Sequence, residues 1–394
     1  MTEPIDVAVI GAGPVGAILA LRLAAGGVRV AIVDRAALAP MEHPDFDGRA
    51  YAIAAGSRAL LEAADVWAAL PMAPCPILGI RVSDGRIGRA ASRLRLHFDH
   101  DEAESGPFGW MVEARSLRMA LNQRLADQPL ITVLAPATAR VERSEAGATV
   151  EAGGTQLACR LVIAAEGRDS PLRQAAGIGV TRFAYRQRGL VCAIAHERPH
   201  QNVALEHFLP GGPFAQLPLA GIEGAPHASA IVWTEQGPLA ERLYALDPAP
   251  FGREIARRLG SHLGAIRLIG RRWLYPLGAL HAHRYVGTRL ALVGDAAHGI
   301  HPIAGQGLNL GLRDAIALSS LILTSGDPGA PGLLAAYQRR RRPDSLAMLA
   351  ATDALDRLFS TDNLILRTAR DLGIAAVDRV PRLKRFFMQQ AMGL

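Results

Sequence analysis

Lysine is nearly absent from this chain. Lys384 is the only lysine in 394 residues, although lysine and arginine together number 43. A P-loop requires a lysine directly after its glycines, and a pyridoxal enzyme requires a buried lysine that forms a Schiff base. A single lysine close to the C-terminus suits neither role, so the sequence argues against both classes of enzyme.

Cysteines and long apolar runs are also scarce. Cys75, Cys159 and Cys192 lie far apart and match neither a metal-binding spacing nor a disulfide framework, so we expect a reducing, cytoplasmic environment. No uncharged apolar stretch reaches the roughly 18–20 residues that cross a bilayer. The acidic N-terminus lacks the basic region of a signal peptide.

The charge of the chain is positive, and arginine carries almost all of it. A formal net charge of +7 suits nucleic acid, an anionic ligand or an anionic membrane surface. The arginines are dispersed along the chain, and no nucleic-acid recognition module accompanies them. We therefore predict no nucleic-acid partner.

The chain opens on a pattern typical of dinucleotide-binding domains. An apolar strand over residues 5–10 is followed by GAGPVG, a predicted helix up to Gly26 and Gly27, and a second strand over residues 28–33. In such a unit the first glycine permits the tight turn, the second lets the backbone approach a pyrophosphate, and the third lets the helix pack closely. The alternative is a glycine-rich turn without a ligand. The candidate contacts are Gly11, Gly13, Pro14, Gly16, Arg35 and Asp34, whose carboxylate would accept hydrogen bonds from a ribose.

Farther along, the pattern changes several times. It predicts strands over 77–83 and 93–98, a helix from Arg115 to Ala126, one strand from Leu157 to Gly167, an antiparallel sheet over about 182–272, and helices after Leu333 that break at Pro343 and Pro381. The predicted fold is α/β, a Rossmann-like dinucleotide domain with an inserted antiparallel β-rich domain and a helical C-terminus. We assign 1–75, 100–181 and 273–340 to the first domain, 76–99 and 182–272 to the second, and 341–394 to the helical region.

The stretch from Gly294 to Ala315 reads GDAAHGIHPIAGQGLNLGLRDA and passes from a strand into a helix. It resembles the ribityl-binding motif of flavin-dependent aromatic hydroxylases. More narrowly, HPIAGQGLNLGLRD is similar to the ubiquinone-biosynthesis hydroxylase family. The segments FDGRAYAIAAGS, MVEARSLRMAL, TDALDRLF and DRVPRLKR also match this family, so the resemblance extends over the whole chain.

The resemblance implies an FAD site. Asp295 would bind a ribityl hydroxyl, Pro302 would fix a loop on the substrate side of the flavin, and the helix from about Leu308 would stabilise negative charge on the flavin. Arg49 and Arg115 match positions near the flavin or its pyrophosphate, with solvated surface arginines as the alternative. Glu166 stands where the family has an aspartate, which weakens its assignment to the cofactor. The further candidates are Gly294, Gly305, Gln306, Gly307 and Asn309.

The histidines of this region raise the question of a metal. His298 and His301 are three residues apart, with His281 and His283 nearby. A zinc site needs three or four ligands, and no cysteine or carboxylate clearly completes one. We predict no metal.

The family implies hydroxylation of a polyprenylated phenol in ubiquinone biosynthesis, with NAD(P)H as a transient reductant of FAD and O₂ reacting through a flavin hydroperoxide. No catalytic base can be selected, since the spacing does not choose among Tyr185, His207 and Tyr275. A halogenase is disfavoured because its chemistry uses a pocket lysine. The alternatives are a hydroxylase of a small soluble aromatic and a non-catalytic, FAD-bound subunit of a quinone-synthesis complex.

The C-terminal stretch VDRVPRLKRFFMQQAMGL mixes basic and apolar residues. It could bind an anionic membrane or a partner in a quinone-biosynthesis complex, which would place the protein peripherally on the inner membrane. The alternative, favoured because Pro381 interrupts the helix, is packing against the body of the protein. The oligomeric state does not follow from the sequence.

Overall fold

A computed structural model describes residues 5–38, 46–85, 87, 95–103, 106–222, 224–301, 305–359, 384, 388, 389 and 392. Its helices and strands in chain order are β1 (Val7–Ile10), α1 (Pro14–Ala25), β2 (Val30–Val33), β3 (Ala50–Ala54), α2 (Ala55–Ala63), β4 (Cys75–Ile77), β5 (Gly79–Asp84), β6 (Arg95–Asp99), β7 (Gly109–Glu113), α3 (Ala114–Asp127), β8 (Ile131–Leu134), β9 (Arg140–Arg143), β10 (Ala148–Ala152), β11 (Thr155–Cys159), β12 (Leu161–Ala164), α4 (Pro171–Ala175), β13 (Val180–His196), β14 (Val203–Leu209), β15 (Gly212–Leu219), β16 (Ala228–Gln236), α5 (Gly237–Tyr244), α6 (Pro248–Leu259), β17 (Ile266–Ala282), β18 (Val286–Gly287), β19 (Leu290–Leu292), β20 (His298–Gly299), α7 (Gln306–Leu323) and α8 (Pro331–Phe359).

A six-stranded sheet in the order β18-β19-β12-β1-β2-β8 forms the first core. β1 pairs in parallel with β2 on one side and with β12 on the other. These strands are buried on both faces, which explains why they are continuous apolar runs rather than alternating ones. The predicted strand–helix–strand unit at the N-terminus is confirmed.

An eight-stranded sheet in the order β20-β17-β13-β16-β15-β14-β5-β6 forms the second layer. Its pairings are antiparallel except that of β14 with β5, which confirms the antiparallel sheet expected over about 182–272. The helices α5 and α6 cover one face through buried Leu243, Phe251 and Ile255. The sequence analysis missed these two helices, and its domain boundaries stay a prediction.

The other face of this sheet packs against the three-stranded sheet β3-β7-β4. We call the apolar layer between the two sheets the inter-sheet cluster. It includes Ile77, Phe98, Met111, Ala204, Phe208 and Ile269, all buried.

Two expectations about single elements are wrong. The predicted strand from Leu157 to Gly167 is two strands in different sheets, because the exposed Arg160 separates β11, which pairs with β10, from β12, which pairs with β1. The helix predicted to break at Pro343 continues through it as α8. A proline inside a helix costs about 3 kcal/mol, but buried contacts of Arg341 and Ser345 hold α8 on both sides of it.

Few residues of the C-terminal stretch are described, and Pro381 lies outside them. Lys384 pairs with Glu102 at 2.7 Å, and Met388 and Met392 are buried in the inter-sheet cluster. The described part of this stretch therefore packs on the body of the protein. Across the described residues, the helices are all too short or too polar to cross a membrane.

Candidate cofactor site

Close packing accounts for two of the three glycines in the turn between β1 and α1. Gly11 has φ +108°, and a Cβ there would lie 2.4 Å from the carbonyl oxygen of Ala165. A Cβ at Gly16 would lie 2.1 Å from the carbonyl oxygen of Gly11. At Gly13, by contrast, a Cβ would meet nothing within 4 Å. The chain itself requires Gly11 and Gly16, whereas the open space at Gly13 fits the approach of a ligand.

The start of α1 is built to receive negative charge. Gly13 caps the helix without a side-chain hydrogen bond, and Pro14 is its first residue, so the helix N-terminus stays accessible. Asp34 at the end of β2 accepts hydrogen bonds from the N–H groups of Ala12 at 2.7 Å and Ala36 at 2.9 Å. Arg35 beside it is exposed. Asp34 thus orders the turn, and its role toward a ribose stays a prediction.

Arg118 of α3 is a residue that the sequence analysis missed. Its Nη1 donates to the carbonyl oxygen of Ala12 at 2.8 Å and ties α3 to the glycine turn. Burial lowers the pKa of Arg118, and the nearby Tyr51 and Asp34 partly oppose that shift. The only available signal was its position on the same predicted helix as Arg115.

The stretch after β19 presents a carboxylate at the edge of the parallel sheet. Gly294 has φ +58° and begins a short 3₁₀ turn through Ala296. Asp295 is about half exposed, and its Oδ2 accepts a hydrogen bond from Nε of Arg168 at 3.1 Å. This position leaves the carboxylate open to a ribityl hydroxyl, as the resemblance implied.

Glu166 lies just after β12, the strand that pairs with β19. Its Oε2 accepts hydrogen bonds from Ser170 Oγ at 2.5 Å and from the N–H of Leu172 at 3.3 Å. Burial raises its pKa, although these bonds oppose the shift. The structure therefore uses this oxygen to cap the start of α4.

Arg173 is a second residue that the sequence did not reveal. It is buried, and its guanidinium donates to the carbonyl oxygens of Ala296 at 2.9 Å and Arg168 at 2.8 Å. These two bonds fix the turn after β12 against the turn after β19. The relative placement of Glu166 and Asp295 depends on them.

The start of α7 forms the other end of the site. α7 begins at Gln306, earlier than the predicted start near Leu308, directly after Gly305 in the left-handed conformation. A Cβ at Gly307 would meet nothing within 4 Å, and Gly305 lies close to Ala52 of β3. An uncapped helix end beside open glycine backbone fits a flat, anion-forming ring. Pro302 lies outside the described residues.

Asn309 of α7 forms hydrogen bonds with the backbone of β3. Its Nδ2 donates to the carbonyl oxygen of Ala52 at 2.8 Å, and its Oδ1 accepts from the N–H of Ala54 at 2.9 Å. Both polar ends of the amide are therefore bound to β3 backbone. The side chain holds the first turn of α7 in place.

Arg49 and Arg115 are not solvated surface arginines. Arg49 pairs with Asp47 at 2.6 Å and lies 4.4 Å above the ring of Trp273. Arg115 pairs with Glu113 at 2.7 Å. Both lie at the same end of the β3-β7 pair, and their role toward the cofactor stays a prediction.

Asp314 is the second aspartate of the motif, and its contacts account for the presence of His298. Fully buried, it accepts hydrogen bonds from the N–H of Gly294 at 2.9 Å and from Arg341 Nε at 2.7 Å, and it lies 2.6 Å from His298 Nε2. Burial alone would raise its pKa, but His298 and Arg341 outweigh that effect and lower it. This charged centre joins α7, α8 and the turn that carries Asp295.

The remaining histidines do not assemble a metal site among the described residues. The cluster of potential metal ligands found there consists of Asp99, His100 and Asp101 on the surface, not of the motif histidines.

The three candidate bases named from the sequence each contact another side chain. Tyr185 donates to Asp353 at 3.0 Å, His207 lies 2.8 Å from Ser83 Oγ, and the partly exposed Tyr275 stacks on Trp273.

Comparison with known proteins agrees with this geometry. A family described as FAD binding domain matches residues 4–352. Ubiquinone hydroxylase UbiL of Rhodospirillum rubrum is 47% identical over 98% of this chain and 89% of its own length. The 3-demethoxyubiquinol 3-hydroxylase of Escherichia coli is 34% identical over 100% of this chain and 99% of its own.

The chain belongs to the ubiquinone-biosynthesis hydroxylases of the FAD-dependent monooxygenase family. This hydroxylase is thus a flavin-dependent aromatic monooxygenase with FAD as cofactor and NAD(P)H as reductant. Among solved structures, PqsL, a probable FAD-dependent monooxygenase from Pseudomonas aeruginosa, has a TM-score of 0.76 at 24% identity, covering 95% of this chain and 100% of that one. The p-nitrophenol 4-monooxygenase PnpA from Pseudomonas putida has a TM-score of 0.76 at 18% identity and 99% coverage of both chains. These likenesses show the fold.

Replacing Asp295 with alanine is expected to reduce FAD retention strongly. The carboxylate is half exposed and bonds to an exposed arginine, so its removal should change the free energy of unfolding by less than about 1 kcal/mol. Flavin absorbance per protein after gel filtration measures the loss, with Asp169→Ala as the control at a neighbouring exposed carboxylate. Normal flavin content in Asp295→Ala would refute the ribityl assignment.

Proposed function

We propose that this hydroxylase adds a hydroxyl group to the aromatic ring of a polyprenylated phenol in ubiquinone biosynthesis. The observation that carries the proposal is 47% identity, over 98% of the chain, to a relative named as a ubiquinone hydroxylase. The apolar inter-sheet cluster next to Gly305 and Ala52 is consistent with an apolar substrate.

The residues of the chain supply binding, orientation and exclusion of water. Gly13 and the start of α1 would hold the pyrophosphate, Asp34 the ribose and Asp295 the ribityl chain. The N-terminus of α7 would stabilise negative charge at the flavin ring by about 0.5–2 kcal/mol. Bound FAD, with NAD(P)H and O₂, supplies the oxygen-transfer chemistry. The inter-sheet cluster would keep water from the reacting ring.

The test is a comparison of phenols with and without a prenyl chain. The FAD-loaded protein is expected to oxidise NAD(P)H faster with the prenylated phenol and to give a product that has gained one oxygen atom, measured by mass spectrometry. A product from a small soluble aromatic alone would identify the enzyme as a hydroxylase of that class. A flavoprotein stimulated by no phenol would instead be the non-catalytic subunit.

We also propose that the protein meets its substrate at the surface of the inner membrane. A polyprenylated phenol resides in the bilayer, and the arginine-rich chain carries a net charge of +7. We expect salt-sensitive cosedimentation with anionic liposomes and little with neutral ones. Equal binding to both kinds of liposome would contradict an electrostatic origin.

A further inference from the structure

Glu206 of β14 lies on the face of the eight-stranded sheet that packs against the inter-sheet cluster. Glu206 lies in the middle of β14, whose side chains alternate between the two faces. Ala204 and Phe208 belong to the inter-sheet cluster, whereas Leu205 and Leu209 pack on the opposite face under α5 and α6. Glu206 therefore shares the face of Ala204 and Phe208.

Its immediate neighbours offer no charge. Val82 lies beside Glu206 on β5, and Ala215 lies beside it on β15. Oε1 of Glu206 is buried and has no hydrogen-bond partner among the described residues. Burial away from water raises the pKa of Glu206 to about 7. A buried carboxyl oxygen that makes no hydrogen bond costs free energy of folding, and such groups are often found at functional sites.

The titratable groups on the surrounding elements are few and are engaged with other partners. On the same face of β5, the buried Asp84 accepts a hydrogen bond from the N–H of Gly85 at 3.0 Å. On β4, burial raises the pKa of the Cys75 thiol to about 11. On β7, Glu113 pairs with Arg115, and at the edge of the cluster Lys384 pairs with Glu102. Among the described residues, Glu206 therefore differs from Glu113 and Asp314, each of which pairs with an arginine.

The layer that Glu206 enters borders the flavin end of the cofactor site. Ala52 of β3 packs against the inter-sheet cluster and would lie 3.2 Å from a Cβ at Gly305. β15, the strand next to Glu206, lies against β7 and β4. An aromatic ring held beside the Gly305 turn would rest against this apolar layer.

We propose that Glu206 is the base that removes the hydroxyl proton of the phenol, an inference that rests on the proposed function. The phenol O–H bond breaks, its electron pair stays on the oxygen, and the proton passes to a carboxylate oxygen of Glu206. The products are a phenolate and a neutral carboxylic acid, so atoms and charge balance. The phenolate donates electron density to the ring, which makes the ring carbon more nucleophilic toward the incoming oxygen atom. An acid that titrates near neutral pH is well suited to general-base catalysis.

The test compares Glu206→Gln with Glu206→Asp and with the exposed control Glu241→Gln. Glutamine is isosteric, so the thermal unfolding midpoint should not fall. We expect Glu206→Gln to lower kcat/KM for hydroxylation by at least about 100-fold, the usual size of a general-base effect. NAD(P)H oxidation should continue with less product per NAD(P)H consumed. The control should match the wild type, and Glu206→Asp should keep part of the activity.

The pH dependence and the acidity of the phenol separate a base from a packing residue. Below the raised pKa Glu206 is protonated and inactive, so wild-type kcat/KM should rise with pH up to about 7. The Glu206→Gln variant should lose this rise. Its deficit should shrink for prenylated phenols carrying fluorine, whose hydroxyl is already partly ionised. An equal loss for every phenol would show a packing role and overturn the proposal.

A measurement without turnover completes the test. Infrared difference spectra of the FAD-loaded protein should show a protonated carboxyl C=O band that titrates near neutral pH, shifts when an unreactive phenol binds and is missing in Glu206→Gln. A C=O band that does not shift when the phenol binds would overturn the proposal. If the wild type hydroxylates no phenol, the proposed function fails and this inference with it. If the wild type is active and Glu206→Gln is equally active, this inference alone fails.

Discussion

Gly16→Ala is expected to prevent stable folding of the parallel sheet, whereas Gly13→Ala is expected to fold normally and lose FAD affinity. The new methyl group at position 16 would lie 2.1 Å from the carbonyl oxygen of Gly11, which is backbone and cannot move away cheaply. We expect a loss of at least about 3 kcal/mol in the free energy of unfolding, the upper end for overpacked sites.

Gly13 is the matched control at the same turn. Its φ of −61° suits alanine, and a Cβ there meets nothing within 4 Å. Urea unfolding of flavin-free Gly13→Ala should therefore match or slightly exceed the wild type, by up to about 1 kcal/mol. A titration with FAD followed by flavin fluorescence should show affinity lowered by about 100-fold, or about 2.7 kcal/mol. Full affinity in Gly13→Ala would mean that no phosphate approaches this backbone.

Asp314→Asn is expected to destabilise the protein by about 3–5 kcal/mol, because removing one member of a buried ion pair leaves the buried charge of its partner poorly compensated. The affected partner is Arg341, whose Nε lies 2.7 Å from Asp314. Asp344→Asn is the control, since Asp344 also pairs with Arg341 but is 36% exposed. That control should cost less than about 1 kcal/mol. Equal losses in urea unfolding would contradict the central role of Asp314.

The pH dependence of Asp314→Asn follows from the same contacts. The pKa of Asp314 is lowered in the folded protein by His298 and Arg341 despite its burial. A lowered pKa contributes stability that is complete above the unfolded value of about 3.9 and is lost as the pH falls below it. Acid unfolding of the wild type should therefore steepen below about pH 4, and Asp314→Asn should lack that component. Unfolding curves at several pH values measure the difference.

Patterns of neighbouring residues were sufficient to predict the elements to which we assign the FAD site. The run from β1 to β2 with its glycine turn is a local pattern, since its period, its glycines and the terminal Asp34 all lie within one βαβ unit. The motif after β19 likewise predicted the passage from a strand into the helix α7. The helix through Pro343 was not predictable, because distant buried partners rather than local propensity decide it.

The roles of single side chains depended on contacts between residues far apart in the chain. Hydrogen bonds to a turn from another part of the chain are made by Arg118, Arg173 and Asp314. The spacing of residues in the sequence does not predict such bonds. Glu206 is an acid in the mostly apolar strand β14, which the sequence shows, but its role is ambiguous until the face on which it lies is known.

By itself, then, the sequence determined the family, the cofactor and the backbone turns that we propose receive it, because glycines and strand–helix periods act locally. Only the tertiary structure decided which charges are paired and which carboxyl is left alone in an apolar layer. Burial and pairing are properties of the packed chain, since they depend on which strands become neighbours.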